Sequence, residues 1–209
     1  MSESVRDRLE SSALALLRRK GPHGFTMAEL SRMVGVSVAA PYKHFADKDE
    51  LLLVLAVRGA RDRRNRFIAA MDAQPDPAGK LVALTVELVR YAEEEPALFD
   101  LILIPGLSRE VSAEVTRLNF EVFETVTEGI RPLFPDVQER FGLIQRATAA
   151  AHGIALFRKL NMWVGSEGED QVVRTTRALI AEALANGAGA PTNAVPGPTG
   201  AWDFTRDPR

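Results

Sequence analysis

Apolar residues recur every three to four positions along most of this chain, the spacing of one face of an α-helix, and no convincing period-two alternation interrupts them. Val5, Leu9, Ala13, Leu16 and Leu17 mark a first helix over about residues 4–20, ended by Gly21-Pro22. Thr26 with Glu29 three positions on has the spacing of a capping box, and Leu30, Met33 and Val34 supply the inward stripe of a second helix. Gly35 follows where a residue free to adopt positive φ can end that helix and turn the chain. Ser37 is then the N-cap of a third helix over 38–44, in which Pro41 is tolerated near the first turn. Asp47 and Glu50 repeat the capping-box spacing and open a long helix from Lys48 past Phe67 to about Ala73.

Further on, Asp76-Pro77 starts a helix to about Glu95, with Asp as N-cap and Pro at the first helical position. Pro96, Pro105, Pro132 and Pro135 punctuate helices near 97–103, 109–131 and 136–163. Ser166 and Glu169 cap a last helix, whose Val172, Val173, Thr176, Leu179, Ile180, Ala183 and Leu184 form one apolar stripe. After Asn186-Gly187 the composition turns to Gly, Pro, Ala, Thr and Asn, so residues 188–209 are expected to form a tail without stable structure. The predicted fold is all-α: a three-helix helix-turn-helix domain over 1–50, joined by a long helix to a second helical domain over 51–187.

The loop-and-helix segment 35–48 carries the chemistry. Val38-Ala39-Ala40 is small enough to approach base edges closely, and Tyr42, Lys43 and His44 are donors suited to phosphates or bases, with Phe45 turned inward. Lys48 falls in the first turn of the long helix, where a cation and a helix N-terminus both favour phosphate. The net charge of -2 is unevenly spread: residues 1–66 hold 13 Lys and Arg against 8 Asp and Glu, leaving 13 against 20 in the rest. One end is thus drawn to a polyanion and the other repelled, an orienting field on DNA. Arg58, Arg61, Arg63, Arg64 and Arg66 contribute to this excess and read as a solvated face of the long helix.

Catalysis finds little support. The chain has three His, no Cys, no Gly-rich phosphate loop after a strand, no His-Glu-x-x-His and no nucleophile elbow, so no enzyme activity and no cofactor or metal is expected. The absence of disulfides, of an 18-residue apolar run and of a leader-like N-terminus leads to the expectation of a cytoplasmic protein that does not enter a membrane.

The Gly-Val-Ser turn at 35–37, the Tyr-Lys-His-Phe run at 42–45 and the Asp-Lys-Asp-Glu-Leu-Leu start at 47–52 resemble the N-terminal domain of the tetracycline-repressor (TetR) family of bacterial transcription regulators. Ala151-His152-Gly153-Ile154-Ala155 is similar to the His-Gly segment of one group of TetR C-terminal domains, which carry a Trp upstream where residues 147–151 are Ala-Thr-Ala-Ala-Ala here. The resemblance implies a homodimer that binds a palindromic double-stranded operator, usually represses, and is released by a small effector inside the C-terminal domain. It also implies that Thr26, Ser37, Tyr42, His44 and Lys48 hold phosphates while Val38, Ala39, Ala40, Pro41 and Lys43 face bases. Lys43 is the candidate for a base hydrogen bond, to guanine O6 and N7.

Dimerisation has its own argument, since Ala147, Ala149, Ala150, Ala151, Gly153 and Ala155 would let helix backbones approach closely and the last helix's stripe needs a partner. The last two helices are the expected dimer surface. For an effector pocket the middle helices offer Tyr91, Phe99, Leu103, Phe120, Phe123, Leu156, Met162 and Trp163, with Arg117, Asn119 and His152 as polar candidates. A ligand there would move the helix beginning near Lys48 and change the spacing of the two reading units. The alternative is a constitutive or protein-partnered DNA-binding regulator with no small-molecule inducer, which a filled core in place of a cavity would favour.

Overall fold

Capping decides where the helices begin. A computed structural model describes residues 4–103, 109–162 and 168–187, in which the elements are α1 (Val5–Lys20), α2 (Met27–Val34), a 3₁₀ turn (Pro41–Lys43), α3 (Lys48–Asp72), α4 (Pro77–Glu94), α5 (Pro96–Leu103), α6 (Arg109–Gly129), α7 (Val137–Lys159) and α8 (Gly168–Gly187). No strand occurs among the described residues, in keeping with the all-α expectation. The proposed cap at Ser166 and the tail 188–209 lie outside them.

A complete capping box stands at Ser4, whose Oγ accepts from the Asp7 N–H (3.1 Å) while the Asp7 carboxylate accepts from the Ser4 N–H (3.2 Å). At Thr26 only half forms. The Thr26 hydroxyl oxygen accepts from the Glu29 N–H (3.1 Å), but the Glu29 carboxylate turns to the Lys20 ammonium (2.6 Å), a charged donor that outcompetes a neutral amide. That contact holds the Glu29 carboxyl below its ordinary range. Asp47 accepts from the Glu50 N–H (2.8 Å), and Glu50 reaches back to the Ala46 N–H. Asp76 caps α4 through the Gly79 N–H (2.7 Å), with Pro77 at the first position as the sequence indicates.

The third helix expected over 38–44 is absent in that form. The chain instead makes successive 3₁₀-type bonds, from the Ala40 N–H to the Ser37 carbonyl (2.9 Å), Lys43 to Ala40 (3.2 Å) and His44 to Pro41 (2.9 Å). Pro41 has no N–H, so the Ser37 carbonyl cannot receive the α-helical bond from four residues on and takes the one from three. No side-chain cap accompanies this turn, so Ser37 is not the N-cap expected of it. Before it, Gly35 sits at φ 74°, ψ 36° and the Val36 N–H bonds the Ser31 carbonyl (3.0 Å), an αL helix stop. Met33 is not on the inward stripe; it is 49% exposed, and Met27, Leu30 and Ser31 are the buried residues of α2.

Two main cores share α3. The N-terminal core gathers Leu9, Leu16, Leu17, Phe25, Leu30, Phe45, Leu51 and Leu55, crossing the boundary expected at residue 50, and takes in Leu98 and Leu101 from α5. The second core joins Phe67 and Met71 of α3 to α4, α6, α7 and α8. The α8 stripe belongs to it: Val172, Ile180 and Ala183 are buried within the chain, and Thr176 and Thr85 share a buried hydroxyl–hydroxyl bond of 2.9 Å. Within the chain the stripe is thus only partly covered: Val173 and Leu179 are half-buried and Leu184 is exposed.

α5 and α3 meet at Gly59. A Cβ there would stand 3.1 Å from Leu98 Cδ2 and 3.3 Å from Leu98 Cβ, so a residue without a side chain sets this close approach. The Tyr91 hydroxyl donates to the Gly59 carbonyl across the same seam (3.0 Å), and Arg18 of α1 grips Glu95 with two nitrogens at the end of α4. No helix among the described residues is long and apolar enough to cross a membrane. Gly59→Val should destabilise the fold by about 1–3 kcal/mol, the usual cost of overpacking, read as a lower urea midpoint; an unchanged midpoint would show that the seam is slack.

Candidate nucleic-acid interface and effector cavity

The 3₁₀ turn presents a short exposed edge. Val38 (57% exposed), Tyr42 (52%), Ala39 and Lys43 face solvent, while Phe45 anchors the segment in the N-terminal core. Ala40 and His44 are half-buried, His44 lying tilted against Phe45 with ring centroids 6.4 Å apart. Pro41 departs from its expected place at the bases: it is buried, because the turn rolls its ring onto the core. Ser37 and Thr26 are exposed.

Lys48 and Thr26 come together despite their distance in sequence. The Lys48 ammonium donates to the carbonyl of Phe25 (2.7 Å), next to Thr26, and stands over the Phe25 ring at 4.5 Å from its centroid. The contact ties the start of α3 to the start of α2. It also sets a cation beside the N-terminus of α2, where the backbone N–H dipoles point outward.

A second site lies in the C-terminal region, where α3, α4, α6 and α7 leave a cavity of about 270 Å³. Phe67, Leu84, Leu88, Val122, Phe123 and Val126 form its apolar wall, with Ile102 from α5; Arg63, Asn119, Gln145, Thr148 and His152 are its polar groups. Of the expected ligand residues, Asn119, Phe123 and His152 line it. Tyr91 is fully buried at the Gly59 seam, and Phe99 is core that backs His152, ring centroids 5.7 Å apart. Phe120 and Leu156 are more than half exposed, and Met162 is also outside, on the surface. Arg117 pairs with Glu114 and Glu121 at the surface. The Leu103 side chain and Trp163 lie outside the described residues.

Arg63 is the residue that reading the arginine run as a solvated face misses. It is 7% exposed, and its guanidinium donates to Asn119 Oδ1 (2.5 Å) inside the cavity. Burial lowers its pKa, though an arginine stays protonated throughout. The signal lay in the phase of the helix, because Leu52, Ala56, Gly59, Arg63 and Phe67 fall on one inward row. The rest of the run is also largely engaged: Arg61 with Glu114, Arg64 with Glu121, and Arg66 with Glu87 and Glu94 while lying over the Tyr91 ring.

Known proteins share this architecture. Residues 11–55 match the family of bacterial regulatory proteins, tetR family. Segment 11–55 is thus a TetR-type N-terminal regulator domain. The chain is similar over 134 residues to the nucleoid occlusion factor SlmA of Vibrio cholerae, at 26% identity across 64% of this chain and 68% of that protein. Among solved structures, a protein of unknown function from Rhodococcus sp. RHA1 superposes with a TM-score of 0.77 at 26% identity, covering 87% of this chain and 96% of that one. The TetR-family regulator PfmR of Thermus thermophilus shares the fold, with a TM-score of 0.60 at 20% identity over 84% and 98% of the two chains.

The His152 Nδ1 lies 2.8 Å from the Thr148 carbonyl, which accepts its proton and leaves Nε2 as the other ring nitrogen. Its pKa is below the ordinary 6.5, chiefly through burial and with help from the Arg63 charge, partly offset by the Thr148 carbonyl. The unfolded chain therefore takes up a proton at this residue first as the pH falls, and the stability tied to neutral His152 is complete above 6.5 and declines toward its folded pKa. His152→Gln should lessen the loss of urea stability between pH 7.5 and pH 5.5 relative to wild type, and equal losses in both would show that His152 titrates as it does in water.

Proposed function

We propose that this regulator is a homodimeric repressor of a palindromic operator, released by a small molecule bound in the α3–α4–α6–α7 cavity. The observation that carries this reading is α5. Within eight residues it sends Leu98 and Leu101 into the N-terminal core, Phe99 into the second core behind His152, and Ile102 to the cavity wall. A ligand that displaces Ile102 shifts α5, and α5 carries part of the core on which the 3₁₀ turn rests. Release then follows from differential affinity for the two arrangements, since a ligand that binds both equally shifts nothing. The cavity favours this reading over a constitutive regulator with a filled core.

In this proposal Thr26, Ser37, Tyr42, His44 and Lys48 meet phosphates, and Val38, Ala39, Ala40 and Lys43 meet base edges. Pro41 supports them from beneath. The α2 N-terminus with Lys48 beside Thr26 forms a phosphate clamp, and Lys43 donates to guanine. The dimer seam runs along α7, where Gly142, Ala149 and Leu156 recur at seven residues and Arg146, Gly153 and Leu160 accompany them. Gly142 and Gly153 have open space over their faces, and Leu156 and Leu160 are exposed, so a second α7 can approach closely. Pairing there gives the twofold symmetry of a palindrome, with reading units about 34–36 Å apart.

DNA selected from a random pool, followed by mobility shifts with wild type and Lys43→Ala, tests the reading. An inverted repeat should be recovered, Lys43→Ala should lose about 1–3 kcal/mol of discrimination at one base pair per half-site, and a folded dimer that enriches no sequence would count against it. With about eight phosphates neutralised per dimer, log affinity should fall against log salt with a slope of about -7; a flat dependence would reject the phosphate assignments.

A further inference from the structure

We infer that the cavity holds a small ligand bearing one carboxylate on an apolar body, with the carboxylate paired to Arg63; this rests on the effector-site reading above. Arg61, Arg64 and Arg66 each hold a glutamate, whereas no ion pair among the described residues involves Arg63, the most buried of the run. Its contacts are a neutral amide oxygen, Asn119 Oδ1, and the Phe67 ring 6.0 Å away. A guanidinium this far from bulk solvent favours a counter-charge, and beyond the one amide oxygen most of its five donors have no protein acceptor and open onto the cavity.

The remaining polar wall, Gln145, Thr148 and His152, contains no carboxylate either. Thr148 Oγ1 is turned to the backbone carbonyls of Ile144 and Gln145. The site therefore carries a single positive charge on a planar fork, which matches a carboxylate in two parallel bonds. A phosphate dianion would bring a second negative charge without a second cation to meet it. The apolar wall from α3, α4 and α6 specifies the rest of the molecule, and about 270 Å³ limits it to a compact body.

Calorimetric titration of the full-length protein with phenylacetate and octanoate, against phenylacetamide and octanamide, tests this. Each acid should bind about 10- to 100-fold tighter than its amide, the scale of charge-assisted hydrogen bonds. Arg63→Met should remove the preference. Asn119→Asp, which places a carboxylate of nearly the same shape on Arg63, should remove it as well while raising the melting temperature of the ligand-free protein. Acids and amides binding equally, neither acid binding, or a preference that survives both substitutions would overturn the inference. Operator mobility shifts separate the two levels. Acid binding that leaves operator affinity unchanged sustains the carboxylate site and removes the effector reading, and operator release by neutral apolar compounds alone does the reverse.

Discussion

At Gly59 the α3 backbone runs so near Leu98 that one added carbon would stand 3.1 Å from its Cδ2, and that closeness fixes how the two cores meet. With α5 pressed into this groove, Leu98 and Leu101 complete the N-terminal core while Phe99 and Ile102 serve the C-terminal side. Without the seam, the N-terminal helices would have to close their core with residues of their own. The Tyr91 hydroxyl on the Gly59 carbonyl and the Arg18–Glu95 pair hold the same junction from its two sides. Because interiors are packed at crystal-like density, a displacement of α5 cannot be absorbed within either core and must be shared between them.

Along α3 the arginines divide their work by helical phase. Arg61 and Arg64 reach glutamates of α6 at the surface, Arg66 bridges to two glutamates of α4, and Arg63 faces the interior. The more exposed pairs, Arg61–Glu114 and Arg64–Glu121, contribute little to stability, whereas Arg66–Glu87 is largely buried. Much of the basic excess of the N-terminal third is therefore neutralised within the chain. Lys43 on the 3₁₀ turn, by contrast, stands in solvent.

Most of the architecture was legible from spacing alone. The start of α3 at the Asp47 cap, the Asp76-Pro77 start of α4 and the proline-punctuated helices α5 to α7 fall within a few residues of expectation, because caps and prolines act locally. The 3₁₀ turn was missed because one absent N–H at Pro41 outweighed a good N-cap signal at Ser37. The cavity was half legible: Asn119, Phe123 and His152 were found by residue type, whereas Tyr91, Phe99, Phe120 and Leu156 share that type but lie elsewhere, and only packing distinguishes them. The last helix's stripe shows that an apolar face needs cover but not which chain supplies it, and here Val172, Thr176, Ile180 and Ala183 find theirs inside the chain.

Pro41 and Phe45 are the buried residues of segment 37–45, and Val38, Ala39, Tyr42 and Lys43 point into solvent from it. Surface positions free of caps or special backbone angles change stability by only about 0.5 kcal/mol when substituted. The outward positions can therefore vary at little cost to the fold while the inward pair stays fixed. Under the proposed reading, descendants of this chain could drift from one regulatory target to another through steps that each leave a folded protein, so target choice and structural integrity are open to selection separately.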